Sequence, residues 1–122
     1  DYLQNGMQIL TKDYFNKALR EMYKIAESDD VWVFSDSPTQ AREFLDIPPS
    51  KRVRFLANDQ KSTETLVLMR EGSGLICSNS TFSYWAGRTS SHNRPVIIPK
   101  KFSPNPDLQI GNVPKEWISL DN

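Results

Sequence analysis

Four short apolar runs punctuate the chain: VWVFS (31–35), RVRFL (52–56), GLIC (74–77) and RPVIIP (94–99). Each is too short for a helix, and VWVFS is apolar on both faces instead of alternating. That is the pattern of a parallel strand covered on both sides. Between the runs lie segments of helical character. Over 12–27, Phe15, Ala18, Leu19, Met22, Ile25 and Ala26 recur at helical spacing. Thr11 is placed to cap that helix, and Asp13 sits favourably in its first turn. SDD (28–30) ends it. SPTQ (37–40) starts a second helix, with Ser37 as cap, Pro38 at the first helical position and Gln40 closing a capping box. It ends near Leu45, before IPPS. STETLVLMREG (62–72) is a third helix that stops at Gly72, and TFSYWAGR (81–88) a fourth.

The order is therefore one helix, three strand–helix pairs and a last strand. Such alternation predicts an α/β fold, a parallel sheet with helices on its faces and right-handed crossovers. The character changes after Pro99. Pro104, Pro106 and Pro114 predict an irregular tail, pinned at its end by Trp117 and Ile118. The expected organisation is an α/β domain over 1–99 and a Pro-rich tail over 100–122 packed on it.

A chain of 122 residues suits one domain with a modest core. Its 15 basic and 15 acidic residues cancel, so no general field favours nucleic acid or acidic lipid. No apolar stretch reaches the roughly 20 residues of a membrane helix, and no signal-peptide pattern is present. Cys77 is the only cysteine, which rules out an internal disulfide and agrees with a reducing compartment. At a strand end it reads as a small buried hydrophobe, not a catalytic thiol.

In open parallel sheets, ligands bind beyond the carboxyl ends of the strands. That rule selects Ser35 and Asp36, Asn58 and Asp59, Ser78 to Thr81, and Lys100 with Lys101. The segment NSTFS (79–83) lies between a strand and a helix. Free N–H groups and the helix dipole favour an anion there, most often phosphate, and hydroxyls of Ser80, Thr81 and Ser83 add donors without bulk. The plainer alternative is that Asn79 or Ser80 only caps the helix. Asp36 can accept from a ribose or base, or cap the next helix with Ser35 and Ser37. FSDS lacks the second Asp of a phosphatase nucleophile site. Lys100 and Lys101 can meet an anion, or stand as a solvated charge pair. His92, in a polar loop, has no visible partner as a general base. Tyr84 and Trp85 are expected to pack. No Cys/His spacing points to a metal, and no glycine fingerprint to a P-loop or dinucleotide turn.

NSTFSYWAGRT (79–89) resembles a segment, much like NSTFSWWGAWL, of the α-1,2-fucosyltransferase family. The flanks match in order: FSD (34–36), an acidic helix ending in LM (68–69) and VIIPKKF (96–102), so the resemblance covers roughly 31–102. The chain also opens with DYL, like the end of the family's HxRRGDYL segment. It is therefore expected to be a fragment whose basic diphosphate-binding residues and N-terminal lobe lie upstream. Departures are Tyr84 where Trp is usual, a single Asp36 where FSDD is usual, and AGRTSS in place of GAWL.

The resemblance implies a Rossmann-like lobe of a GT-B-like glycosyltransferase. It implies GDP-fucose as donor, inverting transfer of fucose to a galactose-containing glycan acceptor, and no metal. By that analogy Asn79, Ser80, Thr81, Phe82 and Ser83 face the donor phosphates or sugar, and Ser35 and Asp36 lie near the nucleoside. The motifs assign no catalytic residue. Two other readings stay open: a non-catalytic or truncated remnant of such an enzyme, and a nucleotide-binding α/β module unrelated to fucose. The expected location is cytoplasmic or peripheral to a membrane, with any membrane association supplied by segments outside this chain.

Overall fold

A computed structural model describes residues 11–26, 28–35, 38–57, 62–78, 81–90, 93–101 and 113–122. Its elements are α1 (Lys12–Ile25), β1 (Asp30–Ser35), α2 (Pro38–Phe44), β2 (Arg52–Ala57), α3 (Ser62–Glu71), β3 (Leu75–Ile76), α4 (Thr81–Arg88), β4 (Val96–Pro99) and β5 (Ile118–Leu120). The predicted alternation is present, and every strand pairing among the described residues is parallel.

Two features differ from expectation. The strands form a two-stranded sheet, β1–β2, and a three-stranded sheet, β3–β4–β5, instead of one. The segment expected to be irregular also contributes β5, with Ile97 opposite Ile118 and Pro99 opposite Leu120. A three-residue strand beside a Pro-rich stretch offers too little periodicity to be read. Trp117 and Ile118 do act as pins, on opposite faces of the sheet.

The core centres on β4, whose Val96, Ile97 and Ile98 are all nearly solvent-free. Their side chains alternate between faces. Val96 and Ile98 pack with Cys77, Tyr84, Leu75, Val113 and Trp117. Ile97 packs with Ala18 and Met22 of α1, and with Ile76, Ile118 and Leu120. Each fully buried side chain of this size contributes about 1.5–3 kcal/mol of transfer free energy. This is the two-sided burial that continuous apolar runs predict, realised in β4. The β1–β2 sheet departs from it: Trp32 is 45% exposed and Val53 37%.

Helix α1 begins where expected, with the Thr11 hydroxyl accepting from the Tyr14 N–H at 3.3 Å. Asp13 in the first turn and Lys24 in the last both suit the dipole. The buried stripe is Tyr14, Ala18, Leu19 and Met22, whereas Ile25, counted as core from its spacing, is 48% exposed. Met22 meets the start of β3: a Cβ built on Gly74 would lie 2.5 Å from its sulfur, so a larger residue there would require the methionine side chain to shift. Tyr14 meets the other end of β3, at Cys77. Helix α1 therefore runs antiparallel to the strand, with its N-terminus at the sheet's carboxyl edge.

Two polar side chains tie the pieces together. Asn16, buried in α1, donates to the Phe44 carbonyl at 3.3 Å and accepts from the Asp46 N–H at 2.8 Å. Phe15 against Phe44, and Lys51 over the Tyr23 ring, extend this junction between α1 and the β1–α2–β2 unit. At the amino edge of the sheet, Arg94 donates to the carbonyls of Met69 (2.7 Å), Gly72 (3.0 Å) and Ala86 (3.3 Å). It thereby serves carbonyls near the C-terminal ends of α3 and α4, which helix geometry leaves without intrahelical partners.

Candidate functional site

The carboxyl edge of β3 is built from the inside outward. Cys77 follows the strand, fully buried, and its N–H donates to the Ile97 carbonyl at 2.7 Å. Its thiol donates to the Ser83 carbonyl at 3.5 Å. Burial pushes the thiol pKa up to about 12, against smaller lowering effects of the Ser83 contact and the Arg94 charge. A thiol so protonated and enclosed is no nucleophile at neutral pH. The reading of Cys77 as a small core residue stands.

Ser78 comes next, and α4 begins at Thr81. Ser83, in the first turn, is 6% exposed and its hydroxyl donates to the Ser78 carbonyl at 3.5 Å. The strand end and the start of α4 are thus bonded to each other from both sides. Asn79 and Ser80 lie outside the described residues. Thr81 and Phe82 are placed by their backbone as the first residues of α4. Ser35 ends β1, opposite Ala57, at the carboxyl edge of the other sheet. Asp36, Asn58, Asp59 and His92 lie outside the described residues.

The next strand brings Lys100 to the same edge, directly after β4. Its backbone N–H donates to the Leu120 carbonyl, and its ammonium stands 3.6 Å from Asp121, both side chains largely in solvent. Lys101 is held by backbone bonds to the Asn122 carboxamide, at 2.8 and 2.9 Å. The lysines are a solvated pair, as the plainer reading expects. The edge accordingly holds a helix N-terminus, which favours an anion, and an exposed lysine that already faces Asp121. Among the described residues, no group of three or more His, Cys, Asp or Glu side chains is placed to hold a metal.

The aromatic pair after the motif divides. Tyr84 is 9% exposed and packs edge-on against Trp117, with centroids 5.6 Å apart. Trp85, expected to pack as well, is 54% exposed. One residue at this edge escaped the sequence reading. The Tyr14 hydroxyl, fully buried, donates to the Cys77 carbonyl at 2.7 Å. The available signal was the spacing of Tyr14, Ala18 and Met22, four residues apart, which marks a single helix face as well as Phe15 does.

Comparison with protein families decides the question of kinship. The model of glycosyl transferase family 11 matches residues 1–121. The chain belongs to this family. Family 11 is the α-1,2-fucosyltransferase family that NSTFSYW and its flanks resemble. The family 11 match extends through β5. Comparison with curated proteins and with solved structures returned no significant match. A family 11 domain is a glycosyltransferase domain, with a nucleotide-sugar donor and a glycan acceptor as its partners. The small parallel sheets and helices are compatible with a Rossmann-like glycosyltransferase fold. No helix among the described residues is long and apolar enough to cross a membrane.

Proposed function

We propose that this chain binds GDP-fucose at the carboxyl edge of β3 and β4, as the donor-binding part of an inverting α-1,2-fucosyltransferase. The observation that carries the reading is that the family-matched motif sits where a strand hands over to a helix N-terminus. The diphosphate lies between the end of β3 and the start of α4, met by Asn79, Ser80, Thr81, Phe82 and Ser83. Ser35 and Asp36 serve the nucleoside. In this reading the donor diphosphate is met by the N–H groups and dipole of the α4 N-terminus, without a metal. A galactose hydroxyl of the acceptor attacks the anomeric carbon of fucose as GDP departs, with inversion.

The same proposal treats the chain as one lobe of a GT-B-like enzyme, with residues 1–99 as the donor-binding unit and 100–122 packed on it. Transfer requires donor and acceptor to be held together and water excluded. In a GT-B-like arrangement the acceptor is held by a second lobe facing the donor edge. The isolated chain is therefore expected to bind donor and turn over poorly. Calorimetric titration with GDP, GDP-fucose and ADP tests this. Binding of the guanine ligands in preference to ADP supports the reading. Absence of GDP binding, or equal binding of ADP, refutes it. Robust fucose transfer by the purified chain would overturn the poor-turnover expectation alone.

A further inference from the structure

The donor edge holds two helix N-termini, those of α1 and α4, on either side of the end of β3. One side chain joins them. Tyr14 lies in the first turn of α1, and its own N–H is bonded to the capping hydroxyl of Thr11. Its phenol reaches across to the carbonyl of Cys77, the residue directly after β3, at 2.7 Å. Cys77 is in turn bonded through its thiol to the Ser83 carbonyl, and Ser83 through its hydroxyl to the Ser78 carbonyl.

We infer that Tyr14 is a positioning residue for the link between the end of β3 and the first turn of α4: by fixing the Cys77 carbonyl, it holds the strand end that Ser83 ties to the helix. This rests on the donor-edge reading only for its functional consequence; the structural claim stands by itself. Several observations support the role. Tyr14 is 1% exposed, so no water competes for the bond. Burial raises its phenol pKa well above the ordinary range, so the hydroxyl remains a donor throughout the neutral range. The Phe15 ring, edge-on at 5.1 Å, and the buried helix face restrict where the phenol can go. Packing alone would be served as well by phenylalanine; the hydroxyl adds only the bond to Cys77. An anion at the N-terminus of α4 depends on the direction of its free N–H groups, so a helix start less firmly tied to the strand end binds it less tightly.

Two measurements on Tyr14→Phe in the full chain test this, with Leu19→Ala as a control that weakens α1 away from the turn. The first is amide hydrogen exchange without ligand, at a temperature where both variants give the wild-type circular dichroism. Tyr14→Phe is expected to speed exchange at least fivefold over residues 78–83, with the β4 peptides unchanged; Leu19→Ala is expected to leave 78–83 within twofold. The second is GDP titration, where Tyr14→Phe is expected to weaken binding about fivefold to tenfold and Leu19→Ala less than twofold. Unchanged exchange at 78–83 in Tyr14→Phe, an equal response to Leu19→Ala, or failure of Tyr14→Phe to fold would overturn the positioning role. If the wild type binds no GDP, the donor reading fails, while the exchange data still decide the role of Tyr14.

Discussion

The six-membered ring of Trp117 occupies the space that a side chain at Gly87 would fill. A Cβ at Gly87 would lie 2.8 Å from two atoms of that ring. Helix α4 thus accepts a glycine in its last turn in exchange for a tryptophan seated against Tyr84 and β4.

Gly87→Ala sets two effects against each other. Alanine gains about 0.5–1 kcal/mol of helix propensity over glycine, while overpacking a filled site costs about 1–3 kcal/mol. The clash should win, because the ring is held in the core cluster. A net loss of about 1 kcal/mol is expected. In a Trp117→Ala background the same change should become neutral or stabilising. Urea denaturation of the four proteins in this cycle measures the coupling. Equal effects of Gly87→Ala in both backgrounds would refute the contact.

Arg94 is expected to resist conservative exchange. Its guanidinium serves three carbonyls at once, and lysine cannot reproduce that fork. Charge-assisted bonds of this kind are worth about 1.5–3 kcal/mol each in isolation, and they do not add. Arg94→Lys should therefore lose about 2 kcal/mol and Arg94→Met about 3 kcal/mol. Chemical denaturation checks both values. A loss below about 0.5 kcal/mol for Arg94→Met would show that the carbonyls near the ends of α3 and α4 find other partners.

Alkaline pH should destabilise the fold through Cys77. An unfolded thiol titrates near about 8.5, whereas burial holds the folded one up to about 12. Between these values the folded state keeps a proton that the unfolded state has lost. Stability is then full below the lower pKa and falls as pH rises, at up to about 1.4 kcal/mol per pH unit. Tyr14, raised by burial in the same direction, adds to the decline above its ordinary pKa. Cys77→Ala should be flatter between pH 8.5 and 10, though less stable at pH 7 through its lost volume. Parallel slopes for the wild type and Cys77→Ala would exclude this origin.

Asn16 supplies a more selective test. Its carboxamide donates to one backbone group and accepts from another, and aspartate keeps only the acceptor. Asn16→Asp also places a carboxylate at a site 7% exposed, facing the Phe44 carbonyl. Burial raises such a carboxylate's pKa. The variant should lose about 2–4 kcal/mol at pH 7 and recover part of this near pH 4, where the carboxyl regains a proton to donate. Stability curves for both proteins from pH 4 to 8 should therefore converge toward acid; curves that stay parallel would contradict the arrangement.

The alternation of strands and helices was legible because short apolar runs and caps are local signals. Thr11 caps α1, the third helix stops before Gly72, and β4 is buried on both faces. What was not legible depended on partners distant in the chain. Trp32 looks like a core residue within VWVFS, yet nothing in that run says whether another element covers it. Trp85 and Ile25 satisfy helical spacing equally well whether or not their side of the helix meets the sheet. The β5 strand exists because three residues find β4, not because their own pattern demands it. At the candidate site, the motif and its strand–helix setting were readable, and so was the core role of Cys77. The part of Tyr14 was not, because its bond to Cys77 spans 63 residues of sequence.

The placement of β4 between two parallel neighbours also shapes how the chain can assemble. Leu75 pairs with Val96, and Ile97 with Ile118, so both partners lie twenty-one residues away along the chain. Loop-closure entropy depends on length only logarithmically, and equal lengths give neither partner a head start. Between β3 and β4 the helix α4 shortens the effective loop and brings Tyr84 and Ala86 with it, which favours that pairing. Ile97, touching both neighbours and α1, is where these contacts meet, and substitutions there should slow folding as well as weaken the fold.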